Sequence, residues 1–319
     1  MALVNVPAGS TEATLRTAVE TTAVDGDTVT IQPGNNITLT VNPLRIVDKA
    51  IRLVSLGSPR DVIITGAAAQ HVIAVTNSGA PAASNFSRLE TSGISLVGGA
   101  GALDGINITG TNGKGKYTQV RMKDLTISGC RNGIRAAMDD IAADAGVHWT
   151  IENCEITTHT TRGIHLTNVS MARVHKCEIN ACGVQGLLAD TCINFSLRDS
   201  AIEGNNTSNG TDPLGNAQAL IKLCHGFTVD GLDVETMPTA AAAARVGLAI
   251  QNCQGGTINA MHIAQTAYQA DSYGIRLSTG AQGVRIGSLT WSYIVTPISS
   301  DADSMFPTVS LRNVIKLAG

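Results

Sequence analysis

The sequence predicts an all-β protein folded as one stacked coil, and three observations carry that prediction. Eight segments, starting at Val120, Trp149, Ala172, Phe195, Phe227, Gly256, Val284 and Val309, repeat one pattern at intervals of 23 to 32 residues. Each reads apolar, polar, apolar, polar, a bend residue, then apolar, polar, apolar, as in Val120 to Ile127. A period of two denotes a strand, and the interruption marks a bend between two strands. Next, a short strand opening Gly-Ile or Gly-Leu precedes most segments: Gly105-Ile106, Gly133-Ile134, Gly163-Ile164, Gly186-Leu187, Gly247-Leu248 and Gly274-Ile275. Finally, only 15% of the residues are charged and 3% aromatic, a composition suited to stacked strands and tight bends more than to helices. Units this short cannot bury their own apolar faces, so successive turns must lie over one another.

The bend column holds Asp124, Asn153, Lys176, Asp199, Gly231, Ala260, Ser288 and Asn313, and the turn near Ala219 keeps the alternation without the glycine. Each turn thus contains three short strands. In this pattern the chain resembles the right-handed parallel β-helix of the pectate-lyase-like superfamily, which includes pectate lyases, polygalacturonases, epimerases and phage tailspikes. The resemblance implies a single-stranded right-handed parallel β-helix (a solenoid) over residues 1–319. Residues 1–27 would form an N-terminal cap with a short helix, 28–296 the coils and 297–319 the C-terminal strands.

In order along the chain, residues 10–22 form the capping helix, with Ser10 or Thr11 as cap and Leu15, Ala18 and Val19 on one face. Asp25-Gly-Asp is a turn, Thr28 to Gln32 a strand, and Pro33-Gly-Asn-Asn another turn. Ile51 to Leu56, Val62 to Thr65 and Val72 to Thr76 make an early turn of the coil, and residues 79–85 a loop. Insertions at 138–147, 203–217, 235–245 and 264–273 all flank the Gly-Ile strands. Loops gathered on one face of a repeat array wall a binding surface. No long heptad or distinct tail is read at the C-terminal end, so a trimeric spike with a separate clamp is not evident. The expected partner is a polysaccharide, and the expected state a monomer or a homotrimer.

The formal net charge of −3 offers no electrostatic case for a nucleic-acid partner. No run of 18 apolar residues predicts a membrane span. Residues 1–7 lack a basic segment followed by an apolar core, so no secretion signal is visible. An extracellular site of action is nonetheless expected, either as a secreted protein whose signal has been removed or within a phage particle. Seven cysteines fall at repeat positions, with Cys154 above Cys177 and with Cys192, Cys224 and Cys253 in consecutive turns. Stacked about 4.8 Å apart with parallel Cβ vectors, they read as reduced core residues.

Alternation also assigns the outward columns of the Gly-Ile strands. The first is Asn107, Arg135, His165, Leu188, Leu220, Ala249 and Arg276; the second is Thr109, Ala137, Thr167, Asp190, Lys222, Gln251 and Ser278. The resemblance places an active site on this strand face. Arg135 beside His165 suits β-elimination on a uronic acid: the guanidinium neutralises the carboxylate and the neutral imidazole removes the neighbouring proton. Asp190 completes the candidate catalytic set. Asn107, Asp139, Asp140, Arg162, Lys222, Gln251, Arg276, Tyr268 and Tyr273 are candidate substrate-binding residues. The need for a cofactor stays open. Asp139, Asp140 and Asp190 could hold Ca²⁺ or steer the sugar, and no residue is assigned to a metal.

Departures from the resembled enzymes are plain. The Trp-Ile-Asp-His and Arg-x-Pro-x-x-Arg signatures of calcium pectate lyases are absent, as are the Gly-His-Gly and Arg-Ile-Lys signatures of polygalacturonases. Asp104-Gly-Ile-Asn107 resembles an Asp-Gly-Leu-Ile-Asp stretch of pectate lyases, with Asn107 in place of the second acid. Aromatic platforms for sugar are limited to Tyr268, Tyr273, Trp149 and Trp291, the last two also suited to packing. Leu188 and Leu220 break the expected polarity, so a loop must cover them or they form a contact patch. Three function classes follow: a lyase for acidic polysaccharide (with a glycoside hydrolase as runner-up), a glycan-binding or glycan-cleaving part of a phage particle, and a structural coil without chemistry.

Overall fold

The computed structural model describes residues 1–77, 85–110, 116–138, 146–206, 217–236, 245–265, 272–300 and 314–316. Three parallel sheets of eleven, eleven and ten strands run its length. Arg121–Lys123 belongs to the first sheet, Thr126–Ser128 to the second and Asn132–Met138 to the third, the Gly-Ile sheet; each pairs in parallel with its counterpart a turn away. A small fourth sheet joins Asn85–Ser87, Lys116–Thr118 and Gly146–Val147. The expected stacked coil is the observed architecture.

The bend column acquires a backbone meaning. Asp124, Asn153, Lys176, Asp199, Gly231 and Ala260 have φ between 46° and 63°, the left-handed region. Such a residue turns the chain from the first sheet into the second while its N–H still bonds the next turn, as Asp124 N does to Glu152 O at 3.1 Å. Asn, Asp and Gly tolerate this conformation, which costs other residues roughly 1–2 kcal/mol. Asn153 Nδ2 also donates to Asp124 Oδ1 at 2.6 Å, tying successive bends.

The core is a set of columns. Leu96, Ile127, Ile156, Ile179, Ile202, Val234 and Ile263 lie over one another from the second sheet, all fully buried. Burying each such side chain contributes about 1.5–3 kcal/mol. This column explains the Gly-Ile motif: a Cβ at Gly163 would stand 2.3 Å from Ile179 Cγ2 and 2.7 Å from Gly186 O. In the turn without the glycine, Gln218 is buried instead and pairs with Asn205, accepting from its N at 2.8 Å and donating to its O at 3.1 Å. All seven cysteines are free and buried. Cys192 N donates to Cys224 Sγ and Cys224 N to Cys253 Sγ, both at 3.4 Å, as the predicted ladder requires.

Two expectations need adjustment. The capping helix is α-helical only over Glu12–Arg16, capped by Thr11, and continues as a wider π-type turn over Thr17–Thr22. There Ala23 N closes onto Ala18 O, five residues back, and Leu15, Ala18 and Val19 stay buried. The turn at Pro33 ends at Gly34 (φ +85°), and a strand resumes over Asn35–Thr38. Asn35 is pinned there because its side chain donates to Pro7 O and Gln32 O and accepts from Ser10 N. Among the described residues no helix is long and apolar enough to cross a membrane.

Candidate functional site on the outer face of the Gly-Ile sheet

The register builds the predicted outward columns. Asn107 lies opposite Arg135, Arg135 opposite His165, His165 opposite Leu188, then Leu220, Ala249 and Arg276 follow. Thr109, Ala137, Thr167, Asp190, Lys222, Gln251 and Ser278 form the second column. Arg162 immediately precedes Gly163, and its Nε donates to the Oε1 of buried Gln185, just before Gly186, at 2.7 Å.

Arg135 and His165 are half-buried neighbours in adjacent turns. Arg135 Nη1 reaches back to Asn107 Oδ1 at 3.4 Å, and His165 Nε2 lies 3.3 Å from the Thr167 hydroxyl. The His165 pKa falls to about 4. Burial is the largest cause, followed by the Arg162 and Arg135 charges, with Asp190 and Asp104 acting weakly in the opposite sense. The ring is therefore neutral above that value, and one of its two nitrogens carries a lone pair. The sequence pattern sets Arg135 beside His165 and makes Arg162 a substrate-binding candidate; the effect of Arg162 on the ring, larger than that of Arg135, comes from the structure.

Other candidates are placed less favourably. Asp190 accepts from Thr191 Oγ1 at 3.0 Å and stands 3.8 Å from Lys222 Nζ, a loose ion pair. Asn107, expected to face solvent, is only 5% exposed. Ser278 and Ala249, also expected outward, are buried. Gln251 is half-buried at the apolar end. The Arg276 guanidinium lies 5.9 Å from the centre of the Tyr273 ring. Trp149 is buried and donates its indole N–H to Tyr117 O at 3.1 Å, so it packs and offers no sugar platform. Trp291 is half-buried and packs against the core. Asp139, Asp140 and Tyr268 lie outside the described residues.

Leu188 and Leu220 are buried despite pointing outward, at 6% and 3% exposure, in a cluster with Ala217, Val246 and Ala249 against which Tyr273 packs. This favours the covered reading over an open contact patch.

A groove of about 710 Å³ lies on a different face, the outer side of the first sheet, lined by Glu152, Arg173, His175, Arg198 and Asp199. It exists where Gly226, Gly255 and Gly256 carry no side chain. Part of its charge is already paired, His175 to Asp199 and Arg121 to Glu152, each at 3.0 Å. Volume alone does not make a reaction centre. The Gly-Ile face holds the half-buried neutral imidazole of His165 near the Arg135 and Arg162 guanidinium groups, which makes it the candidate site.

The family described as a right-handed beta helix region matches residues 71–289, most of the coil. The chain belongs to that family. No curated protein sequence matches it significantly. Among solved structures it is similar to the A-module of the Azotobacter vinelandii mannuronan C-5 epimerase AlgE4 (15% identity, 95% of this chain and 90% of that one, TM-score 0.64). It is also similar to an alginate lyase from Paenibacillus sp. str. FPU-7 (13% identity, 95% and 98%, TM-score 0.62) and to the pectate lyase Pel9A (9% identity, 97% and 79%, TM-score 0.51). At these identities the likeness establishes the shared coil.

Proposed function

We propose that this protein acts on an acidic, uronate-containing polysaccharide and cleaves it by β-elimination on the outer face of the Gly-Ile sheet. The observation that carries the reading is the neutral His165 with two guanidinium groups near it, Arg135 in the adjacent turn and Arg162; burial first, then these two charges, lower its pKa to about 4. The guanidinium groups bind the uronate carboxylate and stabilise the charge that grows on it. His165 takes the proton from the carbon bearing that carboxylate. The electron pair forms the new C=C bond, the neighbouring C–O bond breaks, and water protonates the departing oxygen. The solved structures named above come from an epimerase and two lyases, which supports a polysaccharide of this class. An extracellular site of action goes with such a substrate.

The test is incubation with a panel of uronate polymers, following the ultraviolet absorbance of unsaturated ends and, separately, new reducing ends. Elimination produces both. Reducing ends without absorbance would move the assignment to hydrolysis, with Asp190 as one of two carboxylates. Silence across the panel, with binding unchanged by Arg135→Ala and His165→Ala, would leave a structural coil or a binding protein of a phage particle.

A further inference from the structure

At the N-terminal end of the same face a carboxylate is held wholly out of solvent. Asp104 is 0% exposed; Asn132 Nδ2 donates to its Oδ1 at 2.6 Å, and Arg131 Nη2 stands 3.3 Å from both its oxygens. His71 Nδ1 lies 3.1 Å from Asp104 Oδ2. The register makes these groups neighbours, with Asp104 opposite Asn132 and Ile73 opposite Ile106, which sets His71 one turn before Asp104. Burial acts to raise the Asp104 pKa, but the contacts from His71, Asn132 and Arg131 outweigh it and hold the carboxyl below its ordinary value. It is an ionised, buried acid.

A carboxylate taken out of water costs several kcal/mol unless its partners compensate, and here two of the partners look outward. The His71 side chain is 19% exposed, and its Nδ1 is buried 3.1 Å from the carboxylate, an ion-pair contact without hydrogen-bond geometry. An acid beside Nδ1 favours the tautomer protonated there, which leaves Nε2 as the basic nitrogen of this partly exposed ring. The Arg131 side chain is 42% exposed and meets Asp104 through one terminal nitrogen, leaving its other donors for an incoming anion.

We propose that His71, oriented by Asp104 and accompanied by Arg131, is a second proton-transfer station that takes a uronate-bearing sugar. The proposal rests on the polysaccharide reading above and extends it to residues outside the Arg135–His165 pair. His71 lies three turns before His165, roughly 14 Å along the coil at about 4.8 Å per turn, so the two imidazoles serve different sugars. The bond changes are the same: Nε2 takes the proton beside the carboxylate, C=C forms, C–O breaks, and water protonates the leaving oxygen.

Imidazole ¹⁵N–¹H correlation spectra of the full chain test this, with His71→Gln and His165→Gln identifying the two rings. The expected result is His71 protonated on Nδ1 with a bare Nε2. Saturated oligouronate should then shift the His71 Nε2 resonance, and Arg131→Gln should abolish that shift while leaving the His165 response intact. A proton on Nε2 in the unliganded chain overturns the proposal. So does an oligouronate that moves His165 and leaves His71 still, which would keep the first reading. If His71 responds and His165 does not, the second station stands and the assignment to His165 falls. If neither ring responds to any uronate, both fall.

Discussion

Over the turns of Asn107, Arg135 and His165, the outward column of the Gly-Ile sheet carries a buried amide and half-buried guanidinium and imidazole groups. Over the next three turns the same column presents Leu188, Leu220 and Ala249, all buried. Backbone, register and repeat are the same in both halves, so none of them causes the difference. What differs is the company each side chain keeps. His165 sits with Thr167, Arg135 and Arg162, while Leu220 packs with Ala217, Val246 and Tyr273. A solenoid therefore supplies addresses, and the contents of each address set the chemistry.

The sharpest way to break this contrast is to remove the chemistry from the polar half. His165→Ala should lower the elimination rate by roughly 10²- to 10⁴-fold with the circular dichroism spectrum unchanged, the range associated with a lost general base. Loss of the folded spectrum would show that the polar half is packing in disguise. A converse experiment places a charge in the apolar half. Leu220→Asp should cost about 3–5 kcal/mol in urea unfolding, since it buries an unpaired carboxylate. Thr167→Asp, one column over in the polar half, should stay within roughly 1 kcal/mol. Equal costs would mean that Leu220 is not covered in solution.

Acid separates the halves more gently. His159, buried 2% exposed in the bend behind the polar turns, has its pKa lowered to about 4, chiefly by burial. Its neutral ring accepts from Cys130 N at 3.3 Å. With a folded pKa below the unfolded value near 6.5, the unfolded chain binds the proton first as pH falls. The stability contribution is complete above about pH 6.5 and is lost towards pH 4, to the extent of roughly 3 kcal/mol. Denaturation midpoints from pH 7 to 4 should show this, and His159→Leu should flatten the slope by removing one of the two imidazoles whose pKa is lowered to about 4. His165 predicts a matching kinetic feature. The acid limb of kcat/KM should fall near pH 4, and Arg135→Gln, by deleting a cation, should move it upward. The smallest effect belongs to the second column: Lys222→Met, which breaks the 3.8 Å contact with Asp190, should change stability by less than about 1 kcal/mol.

Much of this was legible in the letters. The alternation, the bend column and the Gly-Ile openings prescribe which residues stack, and Arg135 beside His165 is read from spacing alone. Asp104 shows where that reading stops. Its carboxylate lies among His71 of the turn before it and Arg131 and Asn132 of the turn after it, two of them at bends where alternation no longer assigns a face. Asn107 shows a second limit, since the same parity that points it outward says nothing of the 5% exposure left once Arg135 reaches back to it.

By itself the sequence determined the coil, because a period of two interrupted at a fixed column has few ways to bury its apolar half other than stacking on its own repeat. It also determined the vertical neighbours, since register follows from the repeat length between equivalent positions. Only the tertiary structure decided which outward side chains remain in water and which ionisable groups share a dry pocket. Those outcomes depend on bends and on contacts across several turns, and burial and charge act through distance in space, which spacing along the chain does not record.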